Sequence, residues 1–477
     1  MDTLIIYYSL VFFLCGLMYF IKSKIIQHSL FIPFLGMQVW LTIFCMQHMG
    51  EVVDEYFSID RLSVIFMIVI TILAFATVIH SMFFAARRKE TSKMVAIHDS
   101  ALMILISMMS GVLISGHLAL LWAFIEATSL ASAMLIYRDR SKKNFEAAWK
   151  YFFVCSIGIA LAFVGILFIV IAGQEINNPD INMSSLMKNI SAMNPLWLKI
   201  AFIFILTGFS VKIGVAPLFT VDIDAKDAAP MHVGAIFSGG MTIVGFVALF
   251  RFYEIFSISS ELNHWMNTIL LITGMISILF ATVYTLKISN YKRMLAYSSV
   301  EHAGIVLIAL GLGHSGYVAA IIHLICHSFI KATLFYQFGN IYWFYRTDDS
   351  VYLGNYFKKD PVGGIIILLS TFMILAMPPS GLCISEFMLI KALFIKGDWF
   401  VLIPMLLLLT FMFANLAKRF LDLLFIPPLE ERVTRKRINP LEVIPQIILL
   451  GLVIWIGIDP PFEMKKFIEE AVRHLPI

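Results

Sequence analysis

The sequence predicts an all-α polytopic membrane protein of about fourteen transmembrane helices. Three observations lead there. The chain is 60% hydrophobic and only 14% charged, with a mean hydropathy of +0.89, which excludes an ordinary soluble globule. Apolar runs of ~20 residues, long enough to cross ~30 Å of hydrocarbon as helix, recur from end to end. Every second loop between them is basic.

The first run, residues 4–21, follows Asp2 with no basic leader and no small-residue cleavage site, so it reads as a retained membrane helix and not a signal peptide. The basic loops carry Lys22 and Lys24, then Arg87, Arg88, Lys89 and Lys93, then Arg138, Arg140, Lys142 and Lys143. Later ones carry Lys287, Lys292 and Arg293, then Arg346, Lys358 and Lys359, and last Arg432, Arg435, Lys436 and Arg437. The alternate loops, 51–60, 174–194, 257–264 and 313–316, are acidic or neutral. The positive-inside rule then puts the basic set in the cytoplasm and both termini outside. One stretch breaks the pattern: 222–227 falls on the cytoplasmic side yet is acidic. The longest polar stretch, 173–195, leaves no room for a soluble domain. The five cysteines (Cys15, Cys45, Cys155, Cys326, Cys383) are scattered without CxxC spacing, which suggests neither a disulfide framework nor an iron–sulfur site. The net charge of +4 resides in loops and implies no nucleic acid partner; the implied partner is the lipid bilayer.

Against that background a few charges are costly. An ionised side chain at the bilayer centre costs ~3 kcal/mol on insertion scales, so such residues normally serve ions or protons. Glu126 sits about two turns inside the run 118–136. Lys212 lies in the apolar run 196–219, with Gly214 and Pro217 just beyond it. A proline there frees a carbonyl one turn earlier and breaks the helix. A second break, Met377-Pro378-Pro379-Ser380-Gly381, stands five residues before Glu386. Unwound backbone at membrane depth is tolerated only where it is buried in protein or lines a wet cavity. Two broken segments in corresponding halves point to inverted repeats around a midplane site; the bland alternative is a pair of kinks.

His323, His327 and Lys331 stand four apart on one helix, drifting only about 40° per step, and form one stripe. Two imidazoles leading to an amine suit a proton relay; hydrogen-bonding core residues are the alternative. HxxxH also fits a metal or haem, but no third ligand has a convincing spacing and Lys331 repels a cation, so no metal and no cofactor is expected. Glu301 and His302 follow serines in a pattern that also resembles a capping box. Lys391, about 140° around the helix from Glu386, is a second station or a snorkelling lysine. His117, near a membrane boundary, and His232, just after Pro230, are weaker candidates.

Several segments carry a family resemblance. They are Trp149-Lys150-Tyr151-Phe152, Lys212-Ile213-Gly214-Val215-Ala216-Pro217-Leu218, the stretch from Lys292-Arg293 to Ser298-Ser299-Val300-Glu301-His302-Ala303-Gly304, and His323…His327-Ser328…Lys331…Leu334-Phe335. Over roughly residues 99–425 the chain resembles the antiporter-like membrane subunits of respiratory complex I, Mrp cation/proton antiporters and group 4 hydrogenases. With Pro378-Pro379 and Ser385-Glu386-Phe387 it is most similar to the hydrogenase-4 component F type. The resemblance implies fourteen helices with two inverted five-helix repeats. The implied organisation is 1–97 for helices one to three, 98–256 for the first repeat, 257–426 for the second, and 427–477 for the last loop and helix. It implies a relay of Glu126, Lys212, His323, His327, Lys331 and Glu386. Implied partners are further membrane subunits and a peripheral electron-transfer arm, in a bacterial or archaeal cytoplasmic (inner) membrane. Two positions depart from the pattern. Where a lysine is usual on the eighth span, Thr242, Ile243 and Val244 stand, and an expected aspartate is Asn290.

The residues thus predict a proton or sodium path, with a direct Glu126–Lys212 ion pair keeping the lysine charged and electron transfer in partners driving it. A gradient-driven cation/proton antiporter would use the same residues. A b-type cytochrome and a purely structural anchor are the readings from other classes.

Overall fold

A computed structural model describes residues 2–88, 90–428, 430, 439–460, 462–473 and 475. Lys89, Arg432, Arg435, Lys436 and Arg437 of the predicted basic loops lie outside the described residues. The described chain is helical throughout, with only isolated β-bridges besides. In order the main helices are α1 (Asp2–Phe20), α2 (Phe31–Gln47), α3 (Arg61–Ala86), α4 (Ser92–Ile114), α5 (Leu118–Ile136), α6 (Lys142–Gln174), α7 (Pro195–Ile213) and α8 (Thr220–Ala228). Then come α9 (Met231–Phe256), α10 (Ser260–Thr285), α11 (Tyr291–Gly311), α12 (His314–Tyr345), α13 (Pro361–Ile374), α14 (Gly381–Lys396), α15 (Trp399–Phe425), α16 (Ile444–Ile458) and α17 (Phe462–Val472). Among the described residues thirteen helices are long and apolar enough to cross a membrane. The shorter α13 and α14 together supply the length of a fourteenth crossing. The protein is a multi-pass membrane protein.

Burial sorts the helices. Every residue of α9 is buried, and α11 and α12 are nearly so. The outer helices α1, α7 and α15 present bare apolar side chains, such as Phe13, Ile203, Phe400 and Phe411, to the surroundings. In lipid, packing between helices is driven by close backbone approach at small residues. Gly158 on α6 and Gly208 on α7 face each other so closely that a Cβ on Gly208 would stand 2.7 Å from both Cβ and N of Ala162. Gly274 on α10 and Gly304 on α11 repeat the arrangement, each Cβ position lying within 2.8 Å of the other glycine's carbonyl oxygen. A Gly208→Ala substitution should therefore force the helices apart and cost about 1–3 kcal/mol. Thermal unfolding in detergent checks this; an unshifted midpoint would mean that the crossing tolerates the methyl.

Both predicted breaks are present. α7 ends at Gly214, which takes the left-handed conformation (φ 81°) that a glycine adopts without strain. The Ala216–Pro217 peptide is cis, and the Ala216 N–H donates to Ser277 Oγ on α10 (3.0 Å). The chain between α13 and α14 likewise contains a cis Pro378–Pro379 peptide, and Ser380 caps α14 by accepting from the Leu382 N–H at 3.1 Å.

The acidic exception in the loop pattern is corrected here. Residues 222–227 are not a loop: they form most of α8, with Asp222, Lys226 and Asp227 buried. Their charges are consumed internally, so they do not bear on orientation. Asp224 and Asp227 meet Arg293 (2.9 and 3.5 Å), and Asp227 meets Lys143 (3.1 Å). The capping-box alternative for Glu301 also falls away. Asn290 caps α11, accepting from the Lys292 and Arg293 N–H groups at 2.8 and 3.1 Å, and Glu301 lies mid-helix. Asparagine caps as well as aspartate, which accounts for that departure.

At the other end of α9, Arg251 reaches the cap of α3. Its guanidinium donates to both Asp60 oxygens (2.5 and 2.8 Å), to Ser63 Oγ (2.8 Å) and to Glu254 Oε2 (3.3 Å). Burial alone would raise the Asp60 carboxyl, but Arg251 outweighs it and holds the group well below the usual carboxylate range.

Candidate ion-relay site

The first broken helix builds one half of the site. Lys212, in the last turn of α7, is 2% exposed. Its Nζ donates to Thr128 Oγ1 on α5 (3.1 Å) and to Tyr151 OH on α6 (3.4 Å). The ammonium also stands 5.4 Å from the Tyr151 ring centroid. Glu126, two residues before Thr128, accepts from Ser156 Oγ at 2.8 Å, and its second oxygen is buried without a hydrogen-bond partner. The direct Glu126–Lys212 pair expected from sequence is not formed. Thr128 takes the ammonium at 3.1 Å, while Glu126 acts on it through space together with Cys155 and Asp222.

The second half gathers on α11, α12 and α14. His302 Nδ1 and His323 Nε2 are 3.0 Å apart, and His323 Nδ1 meets Ser385 Oγ at 3.1 Å. The His327 ring centroid lies 5.1 Å from that of His302. One oxygen of Glu386 and one nitrogen each of His302 and His323 all lie within 4.8 Å of one another. Glu301, His302 and Glu386 line a cavity of about 260 Å³ together with Leu406, Thr410 and Phe413 of α15. Three such groups have the chemistry to hold a cation as well as to pass protons. Lys331, with no exposed surface, donates to the Leu295 carbonyl of α11 at 2.8 Å.

Other candidates scatter. Lys391 is exposed and outside both clusters. His117 only begins α5, against Tyr56. His232, which opens α9, joins a third cluster that includes residues not singled out from sequence. His28 and His98 flank Asp99 (2.8 and 3.2 Å), His98 Nε2 meets His232 Nε2 at 3.2 Å, and Arg138 links His232 (3.5 Å) to Glu90 (2.7 Å). The adjacent residues His98-Asp99 inside an apolar run were the available signal. Asp222 and Lys226 on α8 were missed because they were read as loop; their i,i+4 spacing was the signal.

The chain's middle, residues 115–412, matches the family described as "NADH:quinone oxidoreductase/Mrp antiporter, TM". The chain belongs to that family. Among curated proteins it is similar to the hydrogenase-4 component F homolog of Methylacidiphilum infernorum, 29% identical over 351 residues that cover 72% of this chain and 74% of the relative. Among solved structures it is similar to a chain of the membrane-bound sulfane sulfur reductase, an archaeal respiratory membrane complex. The TM-score is 0.84 at 20% identity, covering 100% of this chain and 98% of that one. A chain of the Mrp complex from Dietzia sp. DQ12-45-1b gives a TM-score of 0.80 at 17% identity, over 99% and 96%. These two likenesses establish the fold.

Proposed function

We propose that the chain is a proton- (or sodium-) translocating antiporter-like subunit of a redox-driven membrane complex. The observation that carries this is the succession of titratable side chains within the spanning helices, from Glu126 and Lys212 through His327, His302 and His323 to Glu386, flanking two interrupted helices. Isolated charges in lipid are expensive; two groups of them, each at one helix break, mark the two ends of a path. In this reading the inverted repeats span 98–256 and 257–426. The His28–Asp99–His98–His232 cluster, beside the basic loops, brings protons in from the cytoplasmic face, and the termini lie outside the cytoplasmic membrane.

The chemistry follows from the contacts. Lys212 carries the proton, its Nζ donating to Thr128 Oγ1 and Tyr151 OH, with Glu126 adding a favourable field. When a movement in a neighbouring subunit weakens that field, the lysine releases its proton toward the second half. There the linked imidazoles shuttle it to Glu386 at the 260 Å³ cavity. Electrons pass in partner subunits of the kind named for the hydrogenase-4 and sulfane sulfur reductase relatives. The likeness to an Mrp complex favours a second reading, a subunit of a gradient-driven cation/proton antiporter.

The test is purification of the complex in mild detergent with whatever partners accompany it, and reconstitution into liposomes holding a pH dye. Ion movement should require the complex's electron donor and acceptor, and Glu126→Gln should lower it about tenfold or more. Na⁺/H⁺ exchange at full rate without any donor would replace the redox reading by the antiporter one.

A further inference from the structure

The weak point of the path is its middle. On α9, where the family resemblance leads one to expect a lysine, Ile243 and Val244 offer no polar group, and Thr242 spends its hydroxyl on the Ser238 carbonyl of its own helix (3.2 Å). None of these three positions carries a titratable side chain.

The neighbouring helix does. α8 is the piece that follows the first break, and it packs against α11 as well as against α6 and α7. Lys226, 1% exposed, donates to Asp222 at 2.5 Å, one helical turn back. The same carboxylate overhangs Gly214, two residues past Lys212: a Cβ there would lie 3.0 Å from Asp222 Oδ2. Asp222 is thus shared, hydrogen-bonded to Lys226 and close enough for its charge to act on Lys212. Through the α8–α11 packing Lys226 also borders the second half, and its charge acts on both His327 and Lys331. The α8–α11 contact is fixed by Lys292, whose Nζ donates to the Asp227 and Ala229 carbonyls at 2.7 and 2.6 Å.

We propose that the buried Asp222–Lys226 pair of α8 is the central station of the relay, carrying protons between Lys212 and the His327–Lys331 side in place of a lysine on α9. This rests on the ion-translocation reading above. The step balances simply. The Lys212 ammonium gives up a proton and becomes an amine; the Lys226 amine takes it and pairs with Asp222; Lys226 then returns to the amine as Lys331 accepts the proton. Asp222 biases the exchange because a carboxylate cannot favour both ammoniums equally, and whichever it approaches keeps the proton.

The test uses the same liposomes with the full complex. Lys226→Arg retains the ion pair, but arginine does not deprotonate in proteins. It should leave assembly and thermal stability unchanged and cut ions moved per electron about a hundredfold. Lys226→Met and Asp222→Asn should do the same where they assemble. Full translocation by Lys226→Arg would overturn the proposal, since a merely structural pair is satisfied by arginine. Lys212→Met separates the two claims. If it is inactive while Lys226→Arg is active, the station is wrong and the path stands; if both translocate normally, the path itself fails.

Discussion

Lys212→Met is expected to abolish ion translocation by the assembled complex, a loss of about a hundredfold or more, because it removes the proton carrier itself. The size follows from what surrounds it. Thr128 and Tyr151 are neutral hydroxyls whose protons are not given up at ordinary pH, and Glu126, held by Ser156, has no contact route around the gap. No other lysine lies in that half's core except Lys226, one break away. The fold should survive. A methionine of similar length fills the same space, and replacing a buried charge by a well-packed apolar side chain is often neutral or stabilising. Native-gel assembly together with dye-detected translocation distinguishes the outcomes. An assembled complex that still moves ions at the original rate would show that Lys212 serves packing alone.

The second large effect concerns structure. Arg251→Ala should destabilise the protein by about 3 kcal/mol, the lower end for removing one partner of a buried pair. The lower end applies because Asp60 keeps 35% of its side chain accessible and recovers some hydration. The loss should appear as a lower unfolding temperature in detergent, with translocation per assembled complex unchanged. Arg251→Lys should recover part of it, since one ammonium replaces a two-pronged contact with Asp60. The sign of the pH dependence is set by Asp60. Its folded carboxyl titrates below the usual range, so the stabilisation is present above that range and fades as the pH falls toward the depressed value. A variant lacking Arg251 should therefore lose less stability on acidification than the parent. An unfolding temperature equal to the parent's would mean that the contact contributes nothing net.

How much of this was legible in the sequence divides along physical lines. The crossings were legible because each is an apolar run of the required length, and the two breaks because glycine and proline cluster there, at 214–217 and 378–381. Glu126, Lys212 and the His323–His327–Lys331 stripe stood out because a titratable group in an apolar run is rare. What the sequence hid was partnership. Lys212 donates to Thr128 and not to Glu126, and Lys331 donates to a backbone carbonyl on α11, because packing between helices sets distances that spacing within one helix does not. Asp222 and Lys226 were hidden for the opposite reason. Four charges in six residues look like solvent-exposed loop, and only the folded chain reveals that they neutralise one another and their neighbours inside. Glu301 was ambiguous because a serine three residues ahead mimics a cap wherever it occurs.

The α9 helix is interrupted by a π-helical segment over Phe237–Met241, a form that recurs at functional sites. One additional residue in a helix rotates everything beyond it by about 100°. His232 before the segment and Arg251 after it therefore point in directions that an uninterrupted helix could not give them together. The bulge works as a phase shifter: it lets one continuous rod address the histidine cluster at one end and the Asp60 clamp at the other, and it couples the alignment of both to the glycines Gly239 and Gly240 that sit between them.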